Sequence, residues 1–405
     1  MSTERIRTSH VGSLPRTERL LETNARHQSG ELSWDEFTGI LHDEVVGVVK
    51  RQIDTGIDIV NDGEYGHLMT QTVDYGGWWN YSFTRLSGLT PTESGDRWDD
   101  TGEIITSEPG KVRLAEFAHR RDRTIFRDAY LNPVDGVLAG RKQTPPPIIT
   151  GEVKYIGQDA VSADVTGLRS ALDELGAPND GFVAALSPGS AARLKNSFYQ
   201  NDEEVVWACA EALKEEYKAI VDAGFIVQID DPSIAESWDQ VVPEPTVEDY
   251  LAFTQVRVDA LNHALEGLPE DRVRFHLCWG SWHGPHTTDI EFRHLIDQLL
   301  TINAGAYSFE AANVRHAHEW KLWRDVQLPA GKVIVPGVVS HSTNVVEHPE
   351  LVADRIENFA SVVGPENVIA STDCGLGGRI HRDIAWAKLE SLTAGAELAS
   401  KRLFG

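Results

Sequence analysis

Residues 275–280 read FHLCWG. Two positions apart on an extended chain, His276 and Cys278 turn to the same face. An imidazole and a thiol sharing a face either pack into a core or hold a metal. Further residues of ligand type end comparable segments downstream: Glu310 in AYSFEAAN, His341 in GVVSHSTN and Cys374 in STDCGLGG. Asp230 and Asp231 end the segment before, FIVQIDDP. Taken singly, each has a plainer role: a cysteine as a small core residue, a histidine satisfied by its neighbours, a carboxylate in a rim ion pair. Taken together, His276, Cys278, Glu310 and Cys374 form a borderline-soft nitrogen, sulfur and oxygen set that suits zinc. Two thiolates and a carboxylate more than neutralise a dication. Such a centre activates water poorly and is better suited to holding a substrate thiol whose pKa it lowers.

For these residues to meet, the elements carrying them must converge. Residues 203–224 place Val205, Cys209, Ala212, Leu213, Tyr217, Ile220 and Val221 on one helical face, and Gly224 is a stop signal. Cys209 therefore belongs to the core. FIVQIDDP follows as a short apolar strand. The same order recurs: VEDYLAFTQVRVDALNHAL leads to RVRFHLCWG, IEFRHLIDQLLTI to AYSFEAAN, then KVIVPGVVS to PELVADRIENFASVV, and ENVIASTDCG to RDIAWAKLESLTAGAELAS. Alternation of this kind implies parallel βα units. DIVNDGE, PPPIITGEV and TSHVGSLPR are expected to supply the remaining strands. The pattern fits an α/β fold, a closed (β/α)8 barrel or an open doubly wound sheet. No glycine-rich G-x-G-x-x-G turn follows the first strand, which argues against a dinucleotide site. In a barrel the carboxyl ends of the strands share one rim, where side chains distant in sequence meet. Residues 76–147, rich in Gly, Asp, Trp and Arg and weakly periodic, read as a long insertion or cap between early strands of one unit spanning 1–405.

The chain has 405 residues, 41% hydrophobic and 24% charged, with a formal net charge of -25. So acidic a surface repels phosphate backbones and anionic membranes, which speaks against nucleic-acid and membrane partners. The cysteines Cys209, Cys278 and Cys374 are too few and odd in number for a disulfide framework, and the N-terminus shows no apolar signal core. A cytoplasmic protein is expected. The Trp-rich insertion hints at a homo-oligomer.

The motifs HVGSLPR, NDGE at 61–64, QIDDP at 228–232, HLCWG at 276–280, SFEAAN at 308–313 and DCGLGGR at 373–379 together resemble the cobalamin-independent methionine synthase superfamily. The likeness is to its C-terminal catalytic barrel and to stand-alone relatives lacking the N-terminal barrel. It implies a (β/α)8 TIM barrel, a zinc ion held by His276, Cys278, Glu310 and Cys374, and transfer of a methyl or other alkyl group to a substrate thiol. In the synthases the thiol is homocysteine and the donor a methylated tetrahydrofolate. Glu64 and Asp230 fall where that family binds the amino group, Ser13 where it meets the carboxylate, and His341 near the place of its general acid. Trp279 and Trp282 flank the metal strand and are candidates to stack on a donor, ahead of Trp78 and Trp79. Asp230 is the other candidate for handling a proton.

The chain departs from the synthases at Glu152, where they usually carry proline, and over residues 337–344. A stand-alone relative adds a thiol to an epoxide using coenzyme M, so an epoxide:thiol alkyltransferase or the reverse lyase is the second reading. A sulfonate on such a thiol would want a cation, for which Arg123, Arg315 and Arg379 are available. A catalytically silent zinc-binding barrel is the third reading.

Overall fold

The computed structural model describes residues 4–69, 71–92, 102–139, 145–177 and 180–405. Eight parallel strands form one sheet: β1 (Arg7–Thr8), β2 (Ile59–Val60), β3 (Asp180–Leu186), β4 (Ile226–Asp230), β5 (Val273–Leu277), β6 (Ala306–Phe309), β7 (Val333–Val339) and β8 (Ile369–Thr372). Their spatial order is β1-β8-β7-β6-β5-β4-β3-β2. The two ends of that order meet where the Asp58 N–H donates to the Thr8 carbonyl at 3.2 Å and Ser9 Oγ donates to the Ile59 carbonyl at 3.2 Å. This is a nearly closed (β/α)8 barrel, as expected.

Helices return the chain between strands because their ends are chemically marked. Trp34–Thr55 opens on a capping box between Ser33 and Glu36 and stops at Gly56, whose φ is 91°. Asp202–Asp222 is capped by Asn201, and Val247–Ala264 by Thr246. Gln158–Glu174, Pro349–Val363 and Arg382–Phe404 complete the long helices of the outer layer. The face picked out for residues 203–224 is the buried one. Cys209 lies in it at 1% exposure, and burial pushes its thiol up to about 12.

Alternation along β5 decides which side chains reach the barrel interior. Phe275 and Leu277 pack outward with Phe292, Ile296 and Leu299. Arg274, His276 and the following Cys278 take the opposite parity. Arg274 ties the barrel bottom to β1 through Ser9 Oγ at 2.8 Å, while His276 and Cys278 line a cavity at the carboxyl end.

One strand expected for the barrel is elsewhere. Within PPPIITGEV, Ile148–Ile149 pairs antiparallel with Leu89–Thr90 and parallel with Lys195–Asn196 in a separate three-stranded sheet. The barrel strand is instead Asp180–Leu186, DGFVAAL, whose glycine and alanines give a weak strand signal although six of its seven residues are buried.

Residues 76–147 fall between β2 and β3, and residues 93–101 and 140–144 lie outside the described ones. The described part includes Gly77–Asn80, Arg121–Ile125 and Arg127–Leu131, and it sends Trp78 and Phe117 into the cavity lining. Among the described residues no helix is long and apolar enough to cross a membrane.

Candidate metal centre

At the end of β5 the ligand atoms of His276, Cys278 and Cys374 lie within 4.8 Å of one another. His276 is 1% exposed. Its Nδ1 lies 3.0 Å from Ser308 Oγ on β6, the residue paired with it in register. The tautomer that donates from Nδ1 to Ser308 leaves the Nε2 lone pair free, and Nε2 is buried with no partner. An orphaned buried imidazole nitrogen beside two sulfurs is the donor set of a soft cation site, and these residues fit zinc. The two sulfurs share a hydrogen bond. It holds the Cys374 thiol well below the ordinary cysteine value and the Cys278 thiol well above it.

Cys374 reaches the trio because the loop after β8 is pressed against the loop after β1. Leu376 and Gly377 N–H groups both donate to the Ser13 carbonyl, at 2.9 and 2.8 Å. A Cβ on Gly375 would sit 2.8 Å from Ser13 Cβ, and one on Gly377 2.5 Å from the Leu14 carbonyl oxygen. Asp373 anchors the same loop by accepting from the Ala311 and Ala312 N–H groups, both at 2.7 Å.

Glu310 is gathered differently. Its carboxylate accepts from the Trp279 N–H at 3.0 Å and Asn313 Nδ2 at 2.9 Å, and it groups with His341 and Asp373 rather than with the sulfurs. Burial pushes Glu310 up to about 8 and Asp373 to about 6.

The trio opens into a cavity that reaches solvent and spans about 790 Å³ with its open mouth included. Ser13, Glu64, Asp230 and Trp282 line it, as do Trp78, Tyr75, Phe117, Glu236 and Arg379. Glu64 sits at φ 56°, in the left-handed region that a residue with a side chain rarely adopts. Gly12, at φ 128°, must lack a side chain here, since a Cβ would lie 2.2 Å from Glu64 Oε1. Burial raises Glu64 to about 7. Asp230 accepts from Gln228 Nε2 at 2.8 Å, and burial, reinforced by Glu64, raises it well above the carboxylate range.

Two expected site residues are not brought to the cavity. Trp279 is fully buried, donates from its indole to the Ile290 carbonyl at 2.7 Å and stacks on His316 at 3.8 Å, so it is a core residue. His341 is fully buried outside the cavity lining, and both its ring nitrogens lack partners. Burial lowers it to about 3, so near neutral pH it carries no imidazolium proton to donate. Trp78 lines the cavity and Trp79 does not. Trp282 does so while held on both faces: the Arg120 guanidinium carbon lies 3.6 Å and the His286 ring 4.2 Å from its ring centre, too close to share one face.

Ser308 was not among the sequence candidates. Its signal was available, two residues before Glu310 on the same strand face. Ser308→Ala is expected to weaken metal affinity about 10- to 100-fold, read by chelator competition. An unchanged affinity would remove Ser308 from its orienting role.

The chain matches the family model described as "Cobalamin-independent synthase, Catalytic domain" over residues 124–397. It is 23% identical to a methionine synthase of Thermococcus kodakarensis, over 98% of this chain and 94% of that one. It is also 23% identical to a 5-methyltetrahydropteroyltriglutamate–homocysteine methyltransferase of Thermotoga petrophila, over 97% of this chain and 44% of that longer one. Among solved structures, a B12-independent methionine synthase of Shewanella sp. W3-18-1 superposes with TM-score 0.69 at 22% identity, covering 98% of this chain and 99% of that one. At that identity the superposition speaks for the fold.

Proposed function

Because the chain belongs to the family of cobalamin-independent synthase catalytic domains, we propose that it transfers a methyl group to the sulfur of a small thiol, with zinc as its resident ion. The observation that carries this reading is the meeting of His276 Nε2 with the sulfurs of Cys278 and Cys374 at a cavity also lined by Glu64 and Asp230. His276, Cys278 and Cys374 would hold the ion, with Glu310 as the oxygen ligand. A zinc ion there supplies the Lewis acidity that keeps a thiol as thiolate near neutral pH.

The chain's own residues do the rest. Glu64 and Asp230 both face the cavity, where burial raises each and the Glu64 charge raises Asp230 further, so Asp230 keeps its proton at neutral pH while Glu64 presents negative charge to an ammonium group. Methylation forms a sulfur–carbon bond and breaks the donor's carbon–nitrogen bond. The released nitrogen takes up a proton, which Asp230 is the residue to supply. Ser13, on the loop pressed against Cys374, contacts the acceptor, and Trp282 walls the cavity with its edge. The names of the relatives point to homocysteine as thiol and a methylated tetrahydropteroylglutamate as donor.

The test is direct. Methionine formed from homocysteine and the methylated folate supports the proposal. Thioether formed only from small epoxides and thiols would replace it with the alkylating alternative. A zinc-loaded protein turning over neither would make the barrel non-catalytic.

The amine contact has a pH signature. With Asp230 keeping its proton, the ammonium is bound by ionised Glu64, so affinity for an amine-bearing thiol is expected to fall as pH drops through the Glu64 value of about 7, with Glu64→Gln flattening the profile. Stability runs the other way. The folded value lies above the unfolded 4.5, so this group's contribution is complete below 4.5 and lost as pH rises through about 7. Isothermal titration and urea unfolding across that range read both slopes. A variant profile parallel to wild type would take Glu64 out of the contact.

A further inference from the structure

Glu310 follows β6, His341 follows β7 and Asp373 follows β8, three neighbouring strands of the barrel. One ligand-type atom from each lies within 4.8 Å of the other two. All three are buried, Glu310 at 2% exposure and the others at 0%, and none lines the cavity. Neither ring nitrogen of His341 has a partner, and Asp373 Oδ2 also lacks one. Asp373 Oδ1 is taken by the Ala311 and Ala312 N–H groups, and Glu310 accepts from the Trp279 N–H and Asn313 Nδ2. The three side chains make no hydrogen bond to one another, so no shared proton closes the gap between them.

Arg355 and His316 act on Asp373 and Glu310 from a distance only. Arg355 donates to the Val338 and Ala312 carbonyls, and His316 pairs with Asp289 and Glu319. Among the described residues neither carboxylate has a cation within ion-pair distance. The backbone makes room for the arrangement. β7 pairs irregularly with β8 between Gly337 and Val339, and a Cβ on Gly337 would lie 2.2 Å from Asp373 Oδ1.

Two buried carboxylates facing an unpartnered imidazole are costly unless something positive stands between them. Three donors this close need little movement to surround a first-row dication, whose nitrogen and oxygen ligands stand about 2.0–2.2 Å from it. The two carboxylates cancel its charge, and imidazole with carboxylates is a harder donor set than the thiolates of the trio. We propose that Glu310, His341 and Asp373 hold a second divalent cation, of the Mn2+ or Fe2+ class, with Glu310 shared between it and the sulfur-bound ion. This second ion goes beyond the function proposed above and uses none of its substrate contacts. It ties together the ends of β6, β7 and β8, including the loop that presents Cys374.

The experiment counts metals rather than turnover. Protein loaded with one equivalent of zinc is equilibrated overnight with Mn2+. Free Mn2+ is read by its solution EPR signal, and bound metals are counted by elemental analysis after desalting. Wild type is expected to take up one Mn2+ beside its zinc and to shift its urea midpoint upward. Asp373→Asn keeps the oxygen that anchors the loop and puts an amide nitrogen in place of the unpartnered one. It should lose the Mn2+ and the shift while keeping zinc. His341→Gln should do the same, so either variant decides if the other fails to fold. Cys374→Ser is expected to do the reverse, losing zinc and keeping Mn2+. Zinc alone at saturating Mn2+ overturns the proposal, with water then serving His341. Mn2+ that both Asp373→Asn and His341→Gln retain lies at some other site and overturns it equally. The zinc reading fails separately: a protein that takes up Mn2+ through His341 and Asp373 but never holds zinc through Cys374 keeps the second site and loses the thiol-activating centre.

Discussion

Cys374→Ser is expected to leave the protein folded and without its metal, lowering affinity by more than the roughly 100-fold that marks loss of a supporting residue. The reason lies in how the site is assembled. His276 and Cys278 come from one strand end and are held there by the barrel itself. Cys374 comes from the loop after β8 and closes the trio from the other side of the sequence. A serine oxygen in its place is a hard, protonated donor where a soft thiolate is needed, and the three donors left, His276, Cys278 and Glu310, fall short of the four that close a tetrahedral site and keep only one thiolate. The fold should tolerate the change, because the loop is anchored by Asp373 and the Ser13 carbonyl rather than by the sulfur. Cys209→Ala is the matched control. It deletes a buried thiol on the helix Asp202–Asp222 and should keep one equivalent of zinc and the wild-type methyl transfer, at a stability cost of about 1–2 kcal/mol. Elemental analysis of both variants decides the matter. A Cys374→Ser protein that retains stoichiometric zinc and full turnover would end the case for this centre.

What the sequence allowed depended on how local each signal was. The His-x-Cys spacing was enough to place two side chains on one strand face, since period two needs no tertiary information. The βα alternation after residue 220 gave five strands correctly because each was apolar and followed or preceded a periodic helix. DGFVAAL escaped because a strand buried on both faces reads like any apolar run, and its alanines carry no strand preference. PPPIITGEV looked stronger, yet it pairs with a two-residue strand outside the barrel. Side-chain direction was the other blind spot. Trp279 follows Cys278 directly, so it falls on the opposite parity and enters the core, a consequence the spacing already contained. His341 and Arg379 could not be ranked from sequence at all. Burial strips His341 of its charge, while Arg379 comes to line the cavity with its charge bearing on Glu64, and both facts exist only once the loops have closed.

Arg120→Met is expected to destabilise the fold by about 3–5 kcal/mol, far more than the removal of a charge from a surface. Arg120 is 0% exposed and joins the segment between β2 and β3 to the loop after β4 through Glu236 at 3.1 Å and Asp239 at 3.0 Å. Its loss leaves Glu236 with Arg193 alone, and among the described residues Asp239 is left with no ion-pair partner. It also releases one face of Trp282, whose other face stays on His286. Although burial opposes its charge, His286 is raised to about 9 by Asp289, so Trp282 is clamped between two cations. Tyr130 fixes the indole from the same segment, with its hydroxyl accepting at 2.8 Å from the Trp282 N–H and donating to Asp122 at 2.8 Å. The neighbouring Arg121 supplies the comparison. It pairs with Glu244, which is 60% exposed, and donates to the Trp238 carbonyl at 2.8 Å, so Arg121→Met loses one backbone hydrogen bond and a screened ion pair and should cost about 1–2 kcal/mol. Urea unfolding followed by tryptophan emission reads both variants, and zinc content should be preserved in each because the ligands sit on strand ends and on the loop after β8, which neither arginine touches. Equal shifts for the two would mean that the buried network does not join the segment between β2 and β3 to the barrel. Loss of zinc from Arg120→Met alone would mean instead that the Trp282 wall and the metal centre stand or fall together.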